Sequence, residues 1–392
     1  MQSLEDGLPF QALLPSPRGV FVRVILSRSR SLFSLLLVLS LVGCGSNPTR
    51  EVGRNAPERS SHGGYGTSSS ATFADNPAAL RFAQMMQQRH GYDAQSVMSI
   101  LSRAQRQSWI IAQMDKQASR PARSGGSSVP TGGWTRYRAK FVTADNIDKG
   151  VAFWQQHRGE LQRASATYGV PPEIIVGIIG VETRWGRIMG KTRIIDALAT
   201  LSFAYPRRAD YFSGELEAFL LMTREEGIDP FQPTGSFAGA MGYGQFMPSS
   251  IRQYGVDFNG DHHRTLWHPV DAIGSVANYF KGHGWRTGEP VAVRANAGPA
   301  AGSLKAGFDT SYSLATLAGA GITPSGSLGG ATTVSLLKFD VGTGYDYWLG
   351  LHNFYVITRY NHSAYYAMAV YQLGNAVKSR LGGGGVRVAG LP

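Results

Sequence analysis

The segment Val170-Pro-Pro-Glu-Ile-Ile-Val-Gly-Ile-Ile-Gly-Val-Glu-Thr-Arg-Trp-Gly186 constrains this chain more than any other. Between Glu173 and Glu182 every residue is apolar or glycine, so the stretch belongs inside a core. Its β-branched residues would suit a buried strand, but Pro171-Pro172 at its start and its length favour a helix. On that helix Ile175, Ile178 and Ile179 share a face with Glu182. The carboxylate then projects beside apolar surface. Burying it ionised is costly, so it must find a cation or hold its proton. Arg184 and Arg187 offer the cation. A proton held near neutral pH is what a general acid needs. On these residues alone both readings stay open.

A chain of 392 residues is long enough for one large domain or two modest ones. Its one cysteine, Cys44, permits no internal disulfide, so the core must supply stability. Arg18, Arg23, Arg28 and Arg30 precede an apolar run over 31–43. The run suits a signal peptide and is too short for a span of roughly 20 residues. It ends in Leu41-Val42-Gly43-Cys44, which resembles a bacterial lipobox. We expect residues 1–43 to be a signal peptide and Cys44 the lipidated mature N-terminus, anchored by several acyl chains. Gly45, in place of an aspartate, favours the periplasmic face of the outer membrane. Glu5, Asp6, Pro9, Pro15 and Pro17 do not fit a leader, which places the expected translation start later.

Residues 44–71 are rich in Ser, Gly, Asn and Pro and read as a flexible tether. The net charge of +12 points to an acidic partner such as a wall polymer. Part of that excess leaves with the leader. No dense basic cluster interleaved with aromatics follows, which argues against nucleic acid. There is no HExxH and no convincing zinc spacing, which argues against a metallohydrolase.

Helical periodicity starts at Asn76-Pro77 with Leu80, Phe82, Met85 and Met86, and again at Asp93 with Val97, Ile100 and Leu101. Residues 122–133 read as a loop. Thr143 and Asp145 open one long helix expected to reach Tyr168, with Gly169 as its stop. Helices are expected over 208–226 and 247–255, and a last one from Ser363 to about Arg380. Residues 290–345 shift to Gly, Ala, Ser and Thr with short alternations such as Val334-Ser-Leu-Leu-Lys-Phe-Asp340, which predicts a small β element. Residues 382–392 read as a flexible tail. The expected fold class is mainly α (α+β).

The second constellation is Ser236-Phe-Ala-Gly-Ala-Met-Gly-Tyr-Gly-Gln-Phe-Met-Pro-Ser249. Its glycines permit close backbone approach. Tyr243, Gln245 and Phe246 add the mixture of amide and aromatic groups that sugars favour. It lacks the Lys-Ser/Thr of a phosphate loop.

Together, 171–186, 197–203, Tyr-Pro-Arg-Arg at 205–208 and 239–249 resemble the B-type lytic murein transglycosylases, over roughly 72–381. The resemblance implies a lysozyme-like catalytic core around 143–285 and 345–381. It adds a helical part around 73–120 and 190–230 and a small β part around 290–345. It implies cleavage of the MurNAc-GlcNAc β-1,4 bond of peptidoglycan with 1,6-anhydro-MurNAc ends. Glu182 would be the sole acid/base, and no cofactor is required for that chemistry. An ordinary glycosidase needs a second carboxylate at a set distance, and the motifs place none. By the same resemblance, Ser236, Gln245, Tyr279, Tyr360 and Asn361 contact or approach the saccharide. On the residues alone, Tyr279 also reads as a core tyrosine and Asn361 as a helix N-cap. The implied partners are peptidoglycan glycan strands, the outer membrane through the anchor, and other cell-wall enzymes.

Asp257, Asn259 and Asp261 alternate like the opening of an EF-hand loop. Gly260 is misplaced for that loop, and position twelve is His268 instead of Glu. A polar turn held by Asx hydrogen bonds is the competing reading. The family resemblance implies a structural Ca2+ held by Asp257, Asn259, Asp261, the His263 carbonyl and Asp271. Two rival functions remain at this level, a hydrolytic muramidase and a non-catalytic peptidoglycan-binding lipoprotein. A third, a calcium-dependent scaffold, would lack lytic activity.

Overall fold

Asn76 opens the first helix by accepting the N–H groups of Ala78 and Ala79, with Pro77 at the first helical position. This computed structural model describes residues 71–119 and 130–383. The signal peptide, Cys44, nearly all of the tether, most of the loop over 122–133 and residues 384–392 lie outside them.

Three helices come first: α1 (Pro77–His90), α2 (Ala94–Arg103), capped by Asp93, and α3 (Ser108–Ala118). A short α4 (Gly133–Arg138) follows. The long helix expected from Thr143 to Tyr168 is instead two, α5 (Ala144–Gln156) and α6 (Arg158–Tyr168). His157 breaks it, with φ −114° and ψ 30°. The break is a tertiary effect, because α6 packs on α11 (Pro269–Gly282) while α5 packs on α14 (Ala364–Leu381). His157 is buried there, its ring 4.7 Å from that of Phe153. Gly169, at φ 74°, ends α6 as expected.

The apolar segment is the helix α7 (Pro172–Thr183), buried at every position from Ile174 to Thr183. It packs backbone to backbone on α14. A Cβ on Gly177 would stand 2.4 Å from the Val370 carbonyl oxygen, and one on Gly374 would stand 2.0 Å from that of Glu173. Only glycine allows this approach. The chain then forms β1 (Thr192–Arg193), α8 (Ile194–Ala204), α9 (Ala209–Glu225), β2 (Thr234–Gly235) and α10 (Pro248–Tyr254) before α11. β1 and β2 pair antiparallel and anchor the loop that follows.

The expected β element spans β3 (Ala292–Ala297), β4 (Tyr312–Ser313), α12 (Leu314–Gly319), β5 (Ile322–Pro324), β6 (Thr333–Asp340) and β7 (Tyr345–Gly350). The strand order is β4-β6-β7-β3-β5, with antiparallel pairs throughout. Leu317, Ile322, Val334, Leu336 and Leu349 form its own small core, while Leu337 and Phe339 on β6 join the main one. Asp340 ties the sheet to α4 by accepting the N–H groups of Thr131, Gly132 and Gly133. The chain closes with α13 (His352–Tyr360) and α14, the latter capped by Ser363. Among the described residues no single helix is long and apolar enough to cross a membrane.

Candidate active site

α7 carries Glu182 into the core at its C-terminal turn, leaving it 8% exposed. Oε1 accepts a hydrogen bond of 2.6 Å from the Tyr366 hydroxyl, in the first turn of α14. Among the described residues no cation acts on Glu182. The ion pair with Arg184 or Arg187 therefore does not form. Arg184 instead takes the left-handed conformation, φ 50°, that ends the helix. Burial pushes Glu182 up from its ordinary value to about 7, and the Tyr366 hydrogen bond pulls weakly the other way.

Three phenols surround it. Burial, and after it the Glu182 charge, raise Tyr137, on α4, and raise Tyr360 and Tyr366 well above the ordinary tyrosine range. All three stay protonated near neutral pH, so each keeps a hydrogen to donate. Tyr360 and Tyr366 lie nearly parallel, ring centroids 6.4 Å apart. Among the described residues no carboxylate acts on Glu182 either. Tyr366 is the residue that the sequence analysis missed. Its place near the start of the last helix was readable, but that it faces α7 was not.

The loop after β2 meets this helix end. Thr183, next to Glu182, donates its hydroxyl to the Tyr243 carbonyl at 2.9 Å. Gln245 sits at φ 52° and donates its amide to the carbonyls of Met189 (3.1 Å) and Gly242 (2.9 Å). Met241 and Phe246 exchange backbone hydrogen bonds across the loop. At its start a turn over 236–239 is closed by Gly239 N–H on the Ser236 carbonyl, while Ser236 Oγ accepts the Ala240 N–H.

Tyr360 reaches the same loop, donating its hydroxyl to the Gly244 carbonyl at 2.5 Å. Behind it, Tyr279 packs 4.8 Å from the Tyr360 ring and donates to the Arg359 carbonyl at 2.7 Å. Tyr279 is thus a packed tyrosine that backs the site wall. Asn361 ends α13 and does not cap α14; Ser363 takes that place because its hydroxyl accepts the Tyr366 N–H. Glu182, Tyr360, Tyr366 and the Gln245 loop are joined through these contacts, with Ser236 at the loop's far end.

The loop after α10 shows features of both sequence readings. Asp257 accepts the N–H groups of Gly260, Asp261 and His262, and Asn259 accepts that of Asp261, as Asx turns do. Asp261 accepts the N–H of His263. Oxygens of Asp257, Asp261 and Asp271 also converge within 4.8 Å of one another. That all-oxygen set fits a hard cation such as Ca2+. Asp271 is fully buried and accepts the N–H groups of Phe258, Asn259 and Thr265.

Comparison with known proteins follows the same lines. Residues 74–375 match the family described as the transglycosylase SLT domain. The chain is 63% identical over 306 residues to the membrane-bound lytic murein transglycosylase B of Escherichia coli strain K12, covering 78% of this chain and 84% of that protein. It superposes on the Escherichia coli lytic transglycosylase SLT35 in complex with calcium at TM-score 0.74, with 59% identity over 80% of this chain and 98% of that one. SltB3 of Pseudomonas aeruginosa, in complex with NAG-anhNAM-pentapeptide, is 30% identical at TM-score 0.65, over 76% of this chain and 78% of that one. The mainly α fold with its small sheet is the lysozyme-like fold expected above. With a matching family model over most of its length and a relative of this identity, the chain belongs to the SLT transglycosylase family, among the lytic murein transglycosylases of type B.

Proposed function

We propose that this protein cleaves peptidoglycan glycan strands by lytic transglycosylation, with Glu182 as the single acid and base. One observation carries the reading. Glu182 is buried with a phenol donor, and among the described residues neither a cation nor a second carboxylate acts on it. Such a group keeps its proton near neutral pH.

The Tyr366 hydroxyl holds Oε1, so the acidic proton belongs on Oε2. Oε2 gives that proton to the oxygen bridging MurNAc C1 and GlcNAc C4, and the C1–O bond breaks. The GlcNAc leaves with a hydroxyl. The C6 oxygen of the same MurNAc then attacks C1, and its proton passes to the Glu182 carboxylate. The product is a 1,6-anhydro ring, Glu182 is again protonated, and no water is consumed. A hydrolase of the ordinary two-carboxylate kind would need a second acid here.

Ser236, Gln245, Tyr360 and Asn361 are the saccharide contacts in this reading, and Tyr279 supports Tyr360 from behind. Asp257, Asn259, Asp261, the His263 carbonyl and Asp271 would hold a structural Ca2+, in line with the calcium complex of the SLT35 relative. That ion would brace the loop and take no part in bond cleavage. The name of the Escherichia coli relative supports membrane association. We assign the anchor to lipid on Cys44, facing the periplasm from the outer membrane, where other cell-wall enzymes would be neighbours.

Digestion of purified sacculi with mass analysis of released muropeptides tests the function. Anhydro ends support it. Reducing ends would assign a hydrolytic muramidase, and binding without any release would assign a wall-binding lipoprotein.

A further inference from the structure

Of the seven tryptophans, Trp109 alone is exposed, at 48%, on the outer side of α3. Its indole N–H donates to Gln107 Oε1 at 3.0 Å, which fixes the ring and satisfies its polar group. The ring centroid lies 6.2 Å from that of Phe237, tilted by 59°. Phe237 follows Ser236 directly, inside the turn over 236–239.

The two elements that carry this pair, α3 and the turn over 236–239, both meet α8. α3 packs against that helix, and Gly239 closes on Leu198 so tightly that a Cβ there would stand 2.5 Å from its Cδ2. The helical part of α1 to α3 and the loop that leads to Gln245 are thus joined at this aromatic pair. A large indole left half in water forgoes burial that folding normally recovers. Beside it is the Gln107 amide, and Phe237 links it to Ser236, the adjacent residue in the chain. A fixed flat ring with an amide beside it suits the apolar face of a sugar.

We propose that Trp109, backed by Phe237, is a stacking platform for a glycan sugar remote from the bond that is cut. The strand's path would then run from Glu182 along the Gln245 loop, past Ser236 and onto α3. The inference rests on the reading of the site as a glycan groove.

The test uses N-acetylglucosamine oligomers as probes, titrated calorimetrically into the Glu182→Gln protein. Trp109→Ala should weaken hexamer binding about three- to tenfold, the loss expected for one aromatic stacking contact. Trimer binding should stay within about twofold, since a trimer can occupy the centre alone. Trp109→Phe should recover most of the hexamer affinity. Unchanged hexamer binding in Trp109→Ala overturns this inference and leaves the groove intact. Equal losses for trimer and hexamer overturn it too, because they mark a general disturbance. If the protein with Trp109 in place binds neither oligomer, the glycan-groove reading falls and takes this inference with it.

Discussion

The Tyr366 hydroxyl donates a 2.6 Å hydrogen bond to Glu182 Oε1, linking the start of α14 to the end of α7. The two helices can hold that distance because Gly177 and Gly374 let their backbones touch. The phenol keeps its proton, since burial and the neighbouring carboxylate both raise it. It therefore donates whether Glu182 is charged or neutral, and it selects which oxygen carries the acidic proton.

Glu182→Gln keeps the shape of the side chain and removes its proton chemistry. We expect release of anhydro-muropeptides from sacculi to fall by about 100- to 10,000-fold, the usual worth of a general acid or base. Sedimentation with sacculi should remain. Cleavage at the parental rate would remove Glu182 from the mechanism.

The pH dependence follows from the raised proton affinity. Activity should decline as pH rises through about 7, where Glu182 loses the proton needed in the first step. Stability has the same direction. Glu182 is raised from 4.5 to about 7, so its contribution is full below 4.5 and is lost as pH rises through 7. Between pH 5 and pH 8 the parent should lose roughly 2–3 kcal/mol relative to Glu182→Gln, at about 1.4 kcal/mol per pH decade. Urea unfolding of both proteins at the two pH values measures this.

Tyr366→Phe deletes the hydrogen bond and leaves the ring. That bond lowers the proton affinity of Glu182, so its loss should raise it and move the alkaline limb of the activity profile to higher pH. The rate at the optimum should drop about tenfold as the carboxyl loses its orientation. A lowered rate with an unmoved pH profile would mean that Tyr366 acts on packing alone.

The Asp loop can be tested by calorimetry. Ca2+ should raise Tm and a chelator should reverse the rise, because an ion bound only by the folded state stabilises it by mass action. Asp271→Asn should cost roughly 2–4 kcal/mol, since one buried carboxylate accepts three backbone N–H groups. It should also abolish the calcium response. A Tm indifferent to both Ca2+ and chelator would leave only the polar-turn reading.

Local features were legible in the residues themselves. Asn76, Asp93 and Thr143 each placed a helix start, because a cap is a bond between near neighbours, whereas the cap of the last helix fell on Ser363 and not on Asn361. The unbroken apolar run from Ile174 to Val181 determined that Glu182 enters a core. It left ion pair and held proton equally open, because periodicity reports that a face is covered and never by what. Only the tertiary structure decided that. It brought Tyr366 from 184 residues away and turned the chain at Arg184 in a left-handed step. It broke the helix at His157, where two different partners claim the two halves. It also gathered Asp271 to Asp257 and Asp261, a convergence that spacing alone left ambiguous. In each case the deciding energy is desolvation or packing by a distant element, which no local pattern records.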